Sequence, residues 1–161
     1  MKHKFIAAIL LSLVIAVSAV IFILSAQTGD VSGDMSHEVA EDIFFFVDSD
    51  DQTEQSLHKL VRKGAHMAEY AALAFLLCAY IAYVWKDVPF YRAALLAWFF
   101  STLYGVTDEI HQIFVPGRGP SSRDVLIDAI GAALGVLALA VLSRIIRNMK
   151  EKYLDSKEGT I

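Results

Sequence analysis

The sequence predicts an all-α, polytopic integral membrane protein: a four-transmembrane-helix bundle with an extra amphipathic helix in the first outer loop. Three observations predict it. Apolar residues make up 56% of the 161-residue chain and charged residues only 20%, against about half and a quarter in a soluble domain. The apolar excess falls in four blocks of about 20 residues, the length a helix needs to cross a core about 30 Å thick. The ionisable residues that interrupt those blocks gather at one end of each. Mean hydropathy is +0.50. Disorder, collagen-like repeats and an ordinary soluble fold are excluded, and the length suits one domain over residues 1–161.

The first span, about 5–24, contains no charge, and Ser12 and Ser18 are its polar residues. Lys2 and Lys4 resemble the basic start of a signal peptide, but the apolar run exceeds the ~7–15 residues of a secretory core. An uncleaved anchor is expected. The outer loop, about 25–62, carries nine acids. Within it Val39, Ile43, Phe46 and Val47 recur at helical spacing, beside Phe44 and Phe45, with Ser36 as the expected cap. An acidic polar face suits packing on the bundle better than attraction to anionic lipid. After a polar break over 48–53, Thr53 is the expected N-cap of a helix leading into the second span.

The second span, about 64–85, holds His66 and Glu69 near its start and the lone Cys78 among Leu and Ala in its middle. One cysteine makes no internal disulfide and no multi-cysteine metal site. The short loop from Lys86 to Pro89 makes the third span, about 90–114, an antiparallel neighbour. Pro116-Gly117-Arg118-Gly119-Pro120 then enforces a tight turn. Ser121 or Ser122 caps the fourth span, about 124–143, with Asp124 placed to complete a box-like cap. The basic tail past Arg144 reads as a frayed helix end held at anionic headgroups. With both termini on one side, that side carries nine Lys and Arg against five on the other. The positive-inside rule makes it cytoplasmic.

An ionisable group inside a span costs several kcal/mol on insertion scales and needs a partner or a task. Arg62, His66 and Glu69 share one face of the second helix, with Tyr70 beside them. Asp108 and Gln112 share a face of the third, with Glu109 and His111 adjacent. Asp124, Asp128, Gly131 and Gly135 form a stripe on the fourth. All three stripes converge on the outer third of the bilayer, while the inner halves are Ala, Leu, Phe and Ile. A salt-bridge cluster of Arg62, Glu69, Asp108, Glu109, Arg118 and Asp124 that sets helix register is one reading. A polar cavity open to water or a headgroup accounts better for the number of titratable groups. His66-x-x-Glu69 and Asp108-x-x-His111 could each present two metal ligands, but neither H-E-x-x-H nor a paired E-x-x-H occurs, and no metal or cofactor is expected. Pro120-Ser121-Ser122-Arg123-Asp124 resembles a fragment of lipid-phosphate phosphatases, but no histidine follows Arg123, which excludes that chemistry.

Arg62-Lys63-Gly64-Ala65-His66 with Glu69-Tyr70, the run from Asp108 to Arg118, Ser121 to Asp124, and Ser25-Ala26-Gln27-Thr28-Gly29 with Ser32 and Ser36 together resemble the VanZ-like family. The likeness runs from about Leu24 to Gly135. It implies a small bacterial protein of the cytoplasmic membrane, associated through the family's founding member with resistance to teicoplanin, a lipoglycopeptide. It marks Arg62, His66, Glu69, Tyr70, Asp108, Glu109, Gln112, Arg118 and Asp124, and it implies no settled reaction. Asp128 departs from the pattern, where Asn is expected. The site residues expected to bind a ligand are these ten together with His111. The expected partners are membrane lipids and a cell-wall precursor or lipoglycopeptide, with no nucleic acid, and a second copy through the Gly131/Gly135 face. The rival reading is a membrane-embedded hydrolase or transferase using His66, His111 and the neighbouring carboxylates on a lipid-linked substrate.

Overall fold

Five helices and no strand occupy the described residues, 1–44 and 51–158, of a computed structural model. They are α1 (Lys2–Ser25), α2 (Gly29–Phe44), α3 (Asp51–Val84), α4 (Phe90–Gln112) and α5 (Ser122–Glu158). Helix α3 packs against each of the other four. Its partner α5 runs parallel to it, because the close approaches climb together: Gly131 lies on the Met67 carbonyl and Gly135 on the Ala71 carbonyl. A Cβ at either glycine would collide with those oxygens, so α3 and α5 meet backbone to backbone. The Gly131/Gly135 face that the sequence offered to a second copy is therefore covered by α3 of the same chain.

Helix α1 runs parallel to α4. The Tyr104 hydroxyl donates to the Ser18 carbonyl at 2.8 Å, and one helical stretch further on Gln112 reaches Ser25. The stripe of α4 that faces the bundle is Ala93, Ala97, Ser101 and Gly105, all buried. Small residues every fourth position let neighbouring helices approach. Cys78 and Ile81 of α3 pack on Ala93 and Ala97, and Ile21, Tyr70 and Leu73 form a second cluster nearer the polar end. Cys78 is the buried, apolar-packed thiol its setting predicts.

Much of the outward helix surface is apolar. Phe5, Ile15 and Ile23 of α1, Leu95 and Phe99 of α4, and Leu126 and Leu137 of α5 are exposed. Only 6% of the most apolar window of α1 is buried. A helix that is hydrophobic all round and buries so little requires an apolar solvent. Among the described residues three helices are long and apolar enough to cross a membrane, Lys2–Ser25, Gln52–Val84 and Ser122–Asp155. Helix α4 is not one of them, because Tyr91-Arg92 at its start and Thr107-Asp108-Glu109 near its end dilute its apolar stretch.

Several boundaries differ from those expected. The second and fourth spans belong to much longer helices. Helix α3 has 34 residues and α5 has 37, about 51 and 56 Å at 1.5 Å per residue. Thr53 lies inside the first turn of α3 instead of capping it. The tail past Arg144 is helix as far as Glu158, since no Gly or Pro occurs between Gly135 and Gly159 to stop it. Helix α2 starts at Gly29, so Ser36 is interior and its hydroxyl donates back to the Ser32 carbonyl at 2.8 Å. The side chains of Ile43 and Phe44, and residues Phe45, Phe46 and Val47 with the start of the polar break, lie outside the described residues.

Candidate functional site

The polar end of the bundle is assembled by short backbone contacts between segments far apart in sequence. The chain turns at Ser25-Ala26-Gln27-Thr28 between α1 and α2, and the loop from Ile113 to Ser121 turns above it. Gly117 has φ +76°, a backbone conformation that glycine adopts without Cβ strain. Gly29 donates its N–H to the Pro116 carbonyl at 3.1 Å. A Cβ on Gly29 would strike the Gly117 carbonyl. The two Gly-containing turns are thus pressed together, and Arg118 is delivered beneath them.

Arg118 donates from Nη1 to the Ser25 carbonyl at 3.2 Å. Gln112 donates from Nε2 to the buried Ser25 hydroxyl and to Asp108 Oδ2, both at 3.1 Å. Glu109 accepts the Ser121 N–H at 2.6 Å, and Ser121 Oγ accepts the Asp124 N–H at 3.2 Å. Ser121 is therefore the cap of α5. The reciprocal half of the box expected from Asp124 is supplied instead by Glu109 of α4, which is the nearer acceptor once the helices pack. Asp108, Glu109 and Gln112 are all buried, and their polar atoms are directed at protein partners.

Two cavities open beside this network. One, of about 140 Å³, is lined by Arg62, His66, Gln112, Arg118 and Asp124 with Gly117 and Gly119. The other, of about 150 Å³, lies under α2 and is bounded by Ser32, Met35, Ser36 and Val39 on that side and by Val61, Arg62, Ala65, His66 and Glu69 of α3 on the other. Leu24, Gln27 and Arg118 complete it. Arg62, His66 and Arg118 line both, so the cavities adjoin through these three side chains. The first has a polar lining; the second is amphipathic.

Among the described residues no Arg carboxylate pair within this cluster falls within 4.0 Å; its ion-pair contacts are His66 Nδ1 to Glu69 Oε2 at 3.9 Å and to Asp128 Oδ1 at 4.0 Å. The mutual neutralisation of arginines and acids expected of a register-setting cluster is not what the geometry displays. Burial and the neighbouring Arg62 pull the Arg118 guanidinium below its ordinary value, with nearby carboxylates acting in the opposite direction. It remains protonated, as arginines do in proteins.

The eleven residues expected at the site fall into three groups. Arg62, His66, Glu69, Gln112, Arg118 and Asp124 line the cavities. Asp108 and Glu109 stand behind them in the hydrogen-bond network, and buried Asp128 lies against Gly105, whose missing side chain leaves room for its carboxylate. Neither Asp128 oxygen has a hydrogen-bond partner. The remaining two line neither cavity. Tyr70 is fully buried in the cluster with Ile21 and Leu73. His111 stacks on Phe22 of α1, ring centroids 4.7 Å apart, and lines neither cavity, so the two histidines do not share one. The cavity residues missed include Leu24, Gln27, Ser32, Met35, Ser36 and Val39. The signal was present in the Ser25–Gly29 and Ser32/Ser36 motif, but only the fold of α2 over α3 brings it to Arg62.

An all-helical architecture with three helices fit to cross a membrane and a buried polar network at one end defines a small helical membrane protein. Residues 9–144 match the sequence model of the VanZ/LLP1 family, and the chain belongs to that family. No curated protein and no solved structure matches it.

Proposed function

We propose that this VanZ/LLP1 protein binds the headgroup of an anionic cell-envelope amphiphile in its polar end. The occupant is a lipid headgroup, a lipid-linked wall precursor or a lipoglycopeptide. One observation carries the reading: Arg62 and Arg118 face the same two cavities and, among the described residues, no carboxylate is in ion-pair contact with either. Two guanidiniums on the same walls, each out of direct ion-pair contact, leave N–H donors for an anion, and each can grip a phosphate or carboxylate through paired donors. Glu69 and Asp124, on the same walls, suit sugar hydroxyls or amines. The amphipathic second cavity suits the first apolar atoms beyond the headgroup.

The reading includes a four-span bundle. Helix α4 has 23 residues, about 35 Å, which exceeds the apolar thickness of a bilayer. Its charges lie near its ends, and its outward face carries Leu95, Phe99 and Leu103. The termini lie in the cytoplasm of a bacterial cell and the polar end faces out. An outward pocket for amphiphiles also links the protein to tolerance of teicoplanin.

The test is lipid analysis of detergent-purified protein. Wild type retains a phosphate- or carboxylate-bearing amphiphile, and Arg62→Ala and Arg118→Ala retain at least about tenfold less, the loss of one charge-assisted contact. Equal retention in all three overturns the reading. An unchanged teicoplanin susceptibility on deletion overturns the link to tolerance alone.

A hydrolase or transferase is favoured by a single feature, His66 Nδ1 lying within 4.0 Å of both Glu69 and Asp128, a placement suited to proton transfer. Turnover of a lipid-linked substrate that is lost in His66→Ala would establish it.

A further inference from the structure

We propose that His37, Glu54 and His58 form a zinc-type metal site that clips α2 onto α3. His37 comes from the middle of α2. Glu54 and His58 come from the first turns of α3, where an i, i+4 spacing puts both on one face. Their ligand atoms all lie within 4.8 Å of one another. His37 Nε2 is 3.2 Å and His58 Nε2 is 3.8 Å from the same oxygen, Glu54 Oε1. The two imidazole rings tilt against each other with centroids 4.3 Å apart.

The metric fits a tetrahedral ion. Ligands at 2.0–2.1 Å from zinc at tetrahedral angles lie about 3.3 Å from each other. The observed separations bracket that edge, so modest rotamer adjustment closes three ligands on one ion. Two imidazoles and one carboxylate are donors that suit zinc and related first-row ions. Three protein ligands leave a fourth position for water or another ligand, and side-chain exposures of 44%, 42% and 22% leave that position reachable from solvent. The acidic loop around the site raises the local concentration of cations.

The consequence is positional. His37 follows Ser36, and Met35, Ser36 and Val39 form the α2 wall of the 150 Å³ cavity. A metal at His37 therefore fixes that wall over α3. The site stands on its own ligands, whatever the cavity holds.

The experiment uses the full chain, tag removed, in detergent and stripped with a chelator, then titrated with zinc and with cobalt. One equivalent binds, and cobalt shows the visible bands of a tetrahedral site. His37→Ala and His58→Ala lose more than the about 10–100-fold in affinity that changing an outer-shell partner costs, while His3→Ala is unchanged. Zinc also slows amide deuterium exchange across residues 29–44 in wild type and not in His58→Ala. Absence of saturable binding by wild type overturns the proposal. So does binding that survives both histidine substitutions, or that is lost in His66→Ala but kept in His37→Ala.

Discussion

The carboxylate of Glu109 on α4 accepts the backbone N–H of Ser121, 2.6 Å away at the start of α5. A helix start exposes N–H groups that need acceptors, and here the acceptor comes from the preceding helix across the Pro-Gly turn. Glu109→Ala leaves that donor without its partner, at about 1–3 kcal/mol. Glu109→Gln keeps a carbonyl acceptor and loses less. Thermal unfolding in detergent should rank wild type above Glu109→Gln and Glu109→Ala lowest; equal melting of wild type and the alanine variant would count against the shared cap.

Asp128 is 1% exposed, and neither carboxylate oxygen has a hydrogen-bond partner. A buried acid in this state is costly, and an amide of the same shape removes the charge. Asp128→Asn should raise stability by about 1–3 kcal/mol. A fall in the melting temperature would show instead that the contact with His66 is a stabilising ion pair.

Glycines on this chain should split sharply by position. Gly131→Ala and Gly135→Ala drive a Cβ into the α3 backbone carbonyls of Met67 and Ala71, and each should cost at least about 3 kcal/mol, the upper range for overpacking. Gly33 in α2 has nothing within 4 Å of its Cβ position. Gly33→Ala should gain about 0.5–1 kcal/mol. Monodispersity and melting of the three variants, measured side by side, check both signs.

Topology is testable with one thiol at a time, because Cys78 is buried and Cys78→Ala provides a cysteine-free background. In intact cells a membrane-impermeant maleimide should label Gly119→Cys. Met149→Cys should react only after permeabilisation. The reverse pattern would invert the protein, and labelling of both in intact cells would require an even number of spans between them.

How far the sequence carries can be seen in particular residues. The four long helices were legible, because long apolar runs and the Pro and Gly punctuation at Pro89 and Pro116–Pro120 are local signals, whereas α2 was expected from Ser36 onward and begins at Gly29. The convergence of Arg62, His66 and Glu69 with Gln112, Arg118 and Asp124 was legible too, since helical periodicity and the alternation of spans place those residues at one end. His111 was misplaced by the same reasoning. Its position in the chain puts it at the correct height, but the rotation of α4 turns it to Phe22 and leaves Gln112 facing in. The lengths of α3 and α5 were underestimated because hydropathy marks where a helix enters lipid, and nothing marks its end except a breaker.

By itself, then, the sequence determined the class: an apolar excess in helix-length blocks, charges at one end of them, and a motif set that runs almost the length of the chain. These depend on composition and on periodicity within single segments. Tertiary structure decided which partners the charges meet. Only packing could give Ser121 to Glu109 instead of Asp124, cover Gly131 and Gly135 with α3, leave Arg62 and Arg118 out of ion-pair contact with the carboxylates of the described residues, and bring His37 to Glu54 and His58. Those outcomes depend on the rotation and approach of helices distant in sequence, set by where small residues let backbones touch, and no single segment contains that information.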